Sequence, residues 1–351
     1  MKKIVLIVYF FFLAFLVYLS CVLVYATITD YEPKGQINIL NDTAPEVLSI
    51  DSVYSALIWN IGYAGLGEES DFFYDGGKHS NMSEAIVKKN FNGISDLMQR
   101  SIDIDFILMQ EIDRQSRRSY YVDQVENINK ILIHHSYGFA YNFKVDFIPQ
   151  PFLDPVGFVR SGICSYSRYG ARKSYALPYP SEYEWPRRCF MLDRCILVQR
   201  FDLDNGKELL IINNHNSAFD GGKLKDEEMK YLKSFLLDEY SNGNYIIVGG
   251  DWNQCPPDFD PDKFRKVDGD HYFPYNIKAD FLGQGWEWVY DENVPTNRKV
   301  TEAYKRDETF TTIIDFYLVS PNINIEIIQG VDLDFKYADH QPVYIEFGFE
   351  N

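Results

Sequence analysis

The chain has 351 residues, of which 46% are hydrophobic and 16% aromatic, including 26 Tyr and 26 Phe. This apolar content excludes a largely disordered chain and suffices for the core of one large domain or two ordinary ones. The net charge of −17 disfavours a protein that attracts nucleic acid by its overall charge, because polyanions are repelled at long range.

The first 29 residues differ from the rest of the chain. After Lys2 and Lys3, no charged residue occurs from Ile4 to Thr29. A helix needs about 20 apolar residues to cross the hydrocarbon core, whereas the apolar part of a signal peptide spans about 7–15. Residues 1–29 are therefore predicted to be an uncleaved transmembrane anchor. The two lysines before it place the N-terminus in the cytoplasm and the remaining chain outside.

A lipoprotein is the alternative for the same segment, with Cys21 carrying the lipid behind a cleaved signal. Tyr18 fits such a signal poorly and the apolar run continues past Cys21, so the anchor is favoured. Either arrangement keeps the domain near a membrane. Because Lys2 and Lys3 are the only charges of the segment, the 34 Lys and Arg of the chain leave 32 beyond it, against 51 Asp and Glu. The domain is thus strongly acidic.

Four cysteines lie beyond the anchor, and none forms a Cys-x-x-Cys pair, which disfavours structural zinc. Cys189 and Cys195 are expected to share a strand, where six residues span about 20 Å, too far for a disulfide between them. A bridge to a cross-strand partner such as Cys164 stays open. So does the interpretation of these cysteines as small buried apolar residues.

Residues 30–52 carry Pro, Gly, Asn and Asp with little periodicity and are predicted to be a linker, which leaves 53–351 as the domain. Apolar positions at helical spacing predict a helix from Ser83 to Arg100, with Ser83 as its N-cap. A second helix is predicted to open at Asp226 and to run through Leu236. No second domain boundary is evident.

Apolar strands alternate with these helices, and polar residues stand at their ends. The strand ends present Asn60, Glu111, His215, Asp251 with Asn253, and Asp339 with His340, while Asp315 lies within another strand. Each residue alone has an ordinary structural or solvated explanation. Their joint placement indicates a site, and the interleaved helices and strands predict layered α/β packing.

Carboxylates, amides and histidines without thiolates suit hard cations such as magnesium, manganese or calcium. Cleavage of a phosphate ester requires positive charge against the developing oxyanion. One carboxylate can hold the metal, a second can orient or deprotonate water, and a histidine bonded to an acid can stabilise the transferred charge. These residue types therefore predict metal-dependent phosphoester chemistry.

The sequence resembles the endonuclease/exonuclease/phosphatase superfamily, with its deoxyribonuclease and neutral sphingomyelinase branches, from about Val53 to Phe349. The matching motifs occur in family order: Trp59-Asn60-Ile61-Gly62, Gln110-Glu111, Ser161-Gly162-Ile163 with Ser167-Arg168, Asn214-His215, Gly250-Asp251-Trp252-Asn253, Ile314-Asp315-Phe316 and Asp339-His340-Gln341-Pro342. The resemblance implies an α+β fold, a four-layer αββα sandwich of two mixed β-sheets flanked by helices. Here one N-terminal transmembrane helix precedes it.

The resemblance also implies a metal site and a phosphate site. Glu111 is the principal metal ligand, with Asn60 beside it and Asp339 contributing, and the cofactor is Mg²⁺ with Mn²⁺ or Ca²⁺ as alternatives. Apart from the resemblance, Arg160, Arg168, Arg187 and Arg188 are candidates for binding phosphate, and Arg168 and Arg188 are the two expected to bind the substrate. Ordinary ion pairs with the many carboxylates of the domain are the alternative.

The catalytic roles implied by the resemblance fall on five residues. Asp251 orients or deprotonates the attacking water, and Asn253 hydrogen-bonds the phosphate as a catalytic and substrate-binding residue. His340, paired with Asp315, stabilises the pentavalent transition state. His215 resembles the second histidine of the deoxyribonuclease and sphingomyelinase branches, near the leaving group.

Two departures from the family pattern stand out. Gly62 occupies a position where some relatives have an acid, which questions a second metal ligand in that loop. Ala338 replaces the usual serine before Asp-His and changes little in size.

The predicted function is a metal-dependent phosphoester hydrolase, a phosphodiesterase acting outside the cytoplasm. The anchor, the acidic surface, His215 and the aromatic segment from Tyr179 to Trp185 favour a phospholipid or sphingomyelin headgroup as substrate. An extracytoplasmic nuclease explains the same motifs, and a catalytically dead binding domain is a third alternative. The expected partners are a phosphoester substrate and the membrane, with no protein partner.

Overall fold

The computed structural model describes residues 2–40, 43–218, 222–264 and 275–350. Its helices are α1 (Lys2–Thr29), α2 (Glu84–Arg100), α3 (Gln124–Ile131) and α4 (Lys223–Ser241). Its strands are β1 (Ile37–Ile39), β2 (Val47–Leu48), β3 (Tyr54–Asn60), β4 (Phe106–Asp113), β5 (Ser136–Ile148), β6 (Gly157–Ser167), β7 (Lys173–Pro178), β8 (Cys195–Leu203), β9 (Glu208–His215), β10 (Tyr245–Asp251), β11 (Glu287–Val289), β12 (Asn297–Arg298), β13 (Thr311–Thr312), β14 (Asp315–Val319), β15 (Ile323–Gly330) and β16 (Val343–Phe349).

The strands of the described residues form two large mixed sheets and a small two-stranded one. The first large sheet has the order β1-β7-β8-β9-β10-β14-β11, with β2 paired to β8, and the second has the order β15-β16-β3-β4-β6-β5. Within them, β3 is parallel to β4 and β9 is parallel to β10, while most other neighbours are antiparallel. The small sheet joins β12 to β13. The predicted α+β class with two mixed sheets is confirmed.

Alternate residues of the central strands face different layers. In β3, Ile58 packs in the cluster between the two sheets together with Leu108 of β4 and Ile247 of β10. Leu57 and Trp59 point the other way, into a cluster with residues of α2 and α3. Since both faces of these strands are covered, they read as continuous apolar runs rather than as alternating ones.

The outer face of the first sheet is covered by α4. Leu232 and Leu236 of this helix pack with Ile246 and Val248 of β10. Helices therefore lie on both sides of the paired sheets, in the four layers expected from the resemblance. The helix begins at Lys223 rather than at the predicted Asp226, and α2 begins one residue after Ser83, as expected for a helix with Ser83 at the N-cap position.

The N-terminal helix α1 is long and apolar enough to cross a membrane. It has 28 residues, and its most apolar stretch of 18 residues has a mean hydropathy of 2.7. No part of this stretch is buried inside the protein. By length and composition it is a candidate membrane span, and a signal sequence would meet the same criteria.

The segment 30–52, predicted as a linker, is partly bound to the domain. Strand β1 pairs with β7, and β2 pairs with β8. Leu48 of β2 is buried in the cluster between the sheets. Low periodicity in the sequence did not reveal these strands because each is only two or three residues long.

The expectation that Cys189 and Cys195 share a strand is wrong. Cys189 lies in a short 3₁₀ turn, Arg187–Phe190, whereas Cys195 is the first residue of β8. All five cysteines fall within the described residues and no two of them are joined by a disulfide, and the four beyond α1 are buried. They occupy the places of small apolar side chains.

Candidate active site

The predicted site residues meet at one edge of the two sheets. Asn60, His215 and Asp251 are the last residues of β3, β9 and β10. In the first sheet, Asp251 stands in register with His215 on one side and with Asp315 on the other. Because parallel strands end at a common edge, residues far apart in the sequence become neighbours there.

Asp251 lies at the centre of the hydrogen bonds of this site. Its Oδ2 accepts from Asn60 Nδ2 at 3.0 Å and lies 3.4 Å from His215 Nε2, while its Oδ1 accepts from the backbone N–H of Asn253 at 2.8 Å. Burial alone would raise the pKa of the Asp251 carboxyl, but the charge of His340 and the contact with His215 outweigh burial and lower that pKa. Asp251 is therefore held as a carboxylate.

His340 is oriented by an acid. Its Nδ1 and Asp315 Oδ2 are 2.8 Å apart, and both side chains are buried. Burial alone would lower the pKa of His340, but the carboxylates of Asp315, Asp339 and Asp251 raise it well above 6.5. Burial raises the pKa of Asp315 to about 6, against the opposing charge of His340. The pair thus favours a charged imidazolium whose Nε2 faces Asp251 at 3.8 Å.

The side-chain amide of Asn297 limits how His340 can be protonated. Asn297 Nδ2 lies 3.1 Å from His340 Nε2. An amide nitrogen donates only to an unprotonated Nε2, so the imidazolium requires the Asn297 amide to turn and present its oxygen. The two states of His340 are therefore linked to the orientation of Asn297.

Glu111 reaches the site through a β-bulge. The pairing of β4 with β6 shifts between Met109 and Ile112, and Glu111 has a φ of +50°. A bulge redirects a side chain out of the regular alternation of a strand. Glu111 was expected at the end of its strand, but β4 continues past it to Asp113. Glu111 Oε1 lies 3.8 Å from His215 Nε2.

Asp339 supplies a second carboxylate with an unused oxygen. Its Oδ1 is buried and has no hydrogen-bond partner among the described residues. Burial raises the pKa of Asp339 to about 7; the charge of His340 opposes this rise, and that of Glu111 adds to it. An unsatisfied, buried carboxylate oxygen near a second carboxylate fits a divalent cation, which would neutralise both. Glu111 and Asp339 therefore fit the predicted metal site.

Asn60 is compatible with the same metal site but is already engaged. Its Oδ1 accepts from the backbone N–H of Gly62 at 3.0 Å, which leaves one lone pair of this oxygen free.

A second candidate metal site consists of Asp251, Asp315 and His340, which place three ligand atoms within 4.8 Å of one another. His340 Nδ1 and Asp315 Oδ2 of this group already form a hydrogen bond with each other, whereas Asp339 Oδ1 has no partner among the described residues.

The glycine at position 62 follows from the approach of Asp339. A Cβ atom at Gly62 would lie 2.7 Å from Asp339 Oδ1, and the φ of Gly62 is +48°. Any side chain would therefore meet the carboxylate and also carry backbone strain. Some relatives have an acid at this position of the loop, whereas here a glycine leaves room for the Asp339 carboxylate.

These residues line a cavity of about 510 Å³, within the range of small-molecule sites. Glu111, Asp251, Asn253, Asp339 and His340 belong to its wall. The remaining wall carries aromatic and apolar side chains, namely Tyr63, Phe72, Tyr74, Phe143, Tyr183, Phe190, Met191 and Leu192, and also the cations Arg118, Arg187, Arg194, Arg298 and Lys299. The cavity thus combines charged groups of both signs with an apolar surface.

The two arginines predicted to bind substrate do not line this cavity. Arg168 follows β6 at the opposite edge of the second sheet, where it lies 3.6 Å from Asp105 and donates to the carbonyl of Asp103 at 3.0 Å. Arg188 forms ion pairs with acidic residues at the end of α1 and beyond it, including Asp30 at 3.3 Å. The structure thus places both side chains away from the cavity, each beside a carboxylate partner of its own.

Sequence reasoning missed Arg194 and Asn142. Both are buried and line the cavity, and Arg194 Nη1 and Asn142 Nδ2 have no hydrogen-bond partner among the described residues. Such donors are suited to an anion. Burial and the charge of Arg194 lower the pKa of His215. The sequence feature that could have identified Arg194 is its position as a charged residue directly before the apolar run that begins at Cys195.

Comparison with solved structures supports the fold. An endonuclease/exonuclease/phosphatase from Beutenbergia cavernae DSM 12333 is similar with a TM-score of 0.57 at 15% identity, covering 85% of this chain and 72% of its own. D. rerio TDP2 complexed with a single-strand DNA product has a TM-score of 0.53 at 14% identity, covering 85% and 100%. ANGEL2, a 2',3'-cyclic phosphatase, has a TM-score of 0.52 at 11% identity, covering 90% and 98%.

Sequence comparison gives the same assignment. A search of curated protein sequences finds no match. The profile of the Endonuclease/Exonuclease/phosphatase family, however, matches residues 58–322, about three quarters of the chain and all the strands from β4 to β14. This chain belongs to the Endonuclease/Exonuclease/phosphatase family.

Proposed function

We propose that this protein is a divalent-metal-dependent phosphodiesterase whose catalytic domain works outside the cytoplasm. The observation that carries the proposal is the arrangement around Asp251. One oxygen of this buried carboxylate lies 3.4 Å from His215 Nε2 and 3.8 Å from His340 Nε2. With a carboxylate base between two histidines, one group can activate the attacking water while another protonates the leaving oxygen of a phosphate ester. The neighbouring carboxylates can hold a cation.

Each residue would have a separate role. Asp251, with its lowered pKa, orients or deprotonates the attacking water. His340, held by Asp315, stabilises negative charge on the phosphate oxygens, and His215 acts near the leaving group. Asn253 would bind phosphate after its Nδ2 leaves the Asn216 carbonyl, to which it donates at 2.9 Å.

Glu111 and Asp339 would hold the cation, with Asn60 as an additional oxygen ligand. When bound there, Mg²⁺ supplies positive charge against the phosphate oxygens. Hard oxygen ligands favour Mg²⁺, Mn²⁺ or Ca²⁺ over softer metals. The unused Asp339 Oδ1 supports this assignment, because it is buried and otherwise lacks a partner.

The proposed location rests on α1 and its flanking charges. Lys2 and Lys3 precede a charge-free helix, and Asp30 and Glu32 follow it. This distribution favours a cytoplasmic N-terminus and a catalytic domain on the other side of the membrane.

A lipid headgroup is the preferred substrate class within this function. The aromatic and apolar side chains of the cavity wall suit a substrate with an apolar part, and the net negative charge of the whole chain disfavours a polyanion. A nuclease is the second candidate, since the aromatic residues Tyr63, Phe72 and Tyr74 could stack with bases.

The test is metal-dependent turnover by the full chain in lipid nanodiscs. Bis(p-nitrophenyl) phosphate, sphingomyelin and single-stranded DNA are compared with Mg²⁺ and with EDTA. Cleavage of sphingomyelin and of bis(p-nitrophenyl) phosphate, but not of DNA, is expected, and both activities should be abolished by EDTA and by Glu111→Gln. Glu126→Gln serves as the matched control, because Glu126 is an exposed residue of α3 paired with Lys130. Undiminished turnover by a Glu111→Gln, His340→Ala double variant would contradict the proposal.

A further inference from the structure

The end of α1 is bound to the domain that carries the catalytic site. Tyr25 Oη donates to Asp146 Oδ2 of β5 at 2.9 Å. Trp185 Nε1 donates to Thr27 Oγ1 at 3.1 Å. These contacts are made before the helix ends at Thr29, so the orientation of the domain relative to α1 is defined by side-chain contacts.

The same contacts lie at the depth of the lipid headgroups when α1 spans a bilayer. At a rise of about 1.5 Å per residue, about 20 residues cross the hydrocarbon core. Counted from Ile4, the core ends near Leu23, which leaves Tyr25 and Thr27 at the interface. Tyr and Trp are the residues enriched at this level, and Trp185 remains 57% exposed.

Strand β5 runs toward the membrane. Lys144 lies over the ring of Tyr31 at 4.8 Å, beyond the end of α1, whereas Asp146 contacts Tyr25 within it. A higher residue number on β5 thus corresponds to a position nearer the membrane-embedded part of α1. The hairpin tip 149–156, which joins β5 to β6, follows this end of β5.

The hairpin tip exposes two large apolar side chains. Phe152 is 73% exposed and Leu153 is 93% exposed. The next residue, Asp154, is bound by Ser80 Oγ at 2.9 Å and by Arg117 Nη2 at 3.1 Å. The tip is therefore held in place by its polar residue while its apolar residues face outward, an arrangement typical of an interaction site.

A single short turn separates the anchor from the catalytic cavity. In the turn Arg187–Phe190, Arg187 and Phe190 line the cavity. Between them, Arg188 pairs with Asp30, and the Cys189 thiol lies 3.6 Å from Asp30 Oδ2. The wall of the cavity is thus directly connected to the residue that follows α1.

We propose that Tyr25, Trp185 and the tip 149–156 form a membrane-docking surface, which contacts the same bilayer that α1 spans. Phe152 and Leu153 enter the headgroup layer, and the cavity opens at the bilayer surface. The substrate is then a phosphodiester lipid of the adjoining leaflet, and this last statement rests on the proposed function.

Docking can be tested without any substrate. The full chain carrying Cys21→Ser and Leu153→Cys is labelled with bimane, in phosphatidylcholine nanodiscs with or without lipids that bear a nitroxide near the headgroup. The remaining cysteines are buried. Ile133→Cys is the matched control, being 72% exposed and two residues from His135, which contacts Ile104 before the start of β4. Quenching at position 153 but not at 133 is expected, and equal quenching at both would overturn docking.

Capture of a lipid substrate is tested by a Phe152→Ser, Leu153→Ser double variant of the full chain. The kcat/KM for sphingomyelin in nanodiscs is expected to fall about tenfold, because two apolar contacts with the lipid are lost. Hydrolysis of soluble bis(p-nitrophenyl) phosphate should be unchanged, and Ile133→Ser should affect neither substrate. Equal losses on both substrates, or none on either, would overturn the role of the tip. If the unmodified protein cleaves neither ester, the proposed function fails, while the quenching result still decides docking.

Discussion

Replacing Arg194 with methionine is expected to stabilise the fold and to weaken catalysis. Arg194 is 7% exposed, and its Nη1 has no hydrogen-bond partner among the described residues. A buried donor without a partner costs about 1–3 kcal/mol, and methionine retains most of the side-chain volume. We therefore expect the free energy of unfolding to rise by about 1 kcal/mol or more, measured by urea denaturation of the full chain in detergent.

The same substitution should lower kcat/KM about 10- to 100-fold. A hydrogen bond to a charged partner contributes about 1.5–3 kcal/mol, and about 1.4 kcal/mol corresponds to a factor of ten. Steady-state hydrolysis of bis(p-nitrophenyl) phosphate at saturating Mg²⁺ measures this loss. After burial, the charge of Arg194 is the next cause of the lowered pKa of His215, so this pKa should rise toward 6.5 in the variant. Titration of the imidazole by NMR measures that change.

Arg168→Met is the matched control for this experiment. Arg168 lies away from the cavity beside Asp105, so its loss should leave kcat/KM unchanged. A stabilised Arg194→Met variant with full activity would refute a contact between Arg194 and substrate. A destabilised variant would show instead that the guanidinium has a partner in the folded protein.

Three further predictions follow from the contacts of the site and of the core. Asp315→Asn should lower kcat about 10⁴-fold, because the ring of His340 loses the acid that orients it, while Mg²⁺ affinity measured by calorimetry stays the same. Gly62→Ala would place a Cβ atom 2.7 Å from Asp339 Oδ1 at a φ of +48°. The free energy of unfolding, measured with denaturant, should therefore fall by about 1–2 kcal/mol. An unchanged free energy of unfolding would mean that the loop relaxes. Burial lowers the pKa of His135 below its usual 6.5, so the folded state resists protonation. The free energy of unfolding should therefore be highest above pH 6.5 and should fall as the pH drops below 6.5, where the unfolded chain takes up a proton that folded His135 resists. If a His135→Gln variant shows the same dependence on pH, His135 is not its cause.

The motifs located most of the residues proposed for catalysis because each follows or precedes a buried strand. Asn60, His215 and Asp251 end strands whose apolar residues are recognisable in the sequence. Glu111 was identified, but the bulge that turns it toward the cavity was not, because a bulge depends on how β4 pairs with β6. Gly62 was seen as a departure, and only the position of Asp339 explains it.

The sequence by itself determined the long helices, the apolar strands that lead to the site, the charge-free segment of α1 and the family. These features depend on local hydrophobic patterns and on short motifs, which are independent of distant contacts. Only the tertiary structure decided that Arg194 lines the cavity whereas Arg168 does not. Arg168 follows the last residue of β6, beside the start of β4, whereas Arg194 precedes β8, beside the end of β9. The two look alike in the sequence, but strand direction places them at opposite edges of the sheets, and direction is set by pairing between residues far apart in the chain.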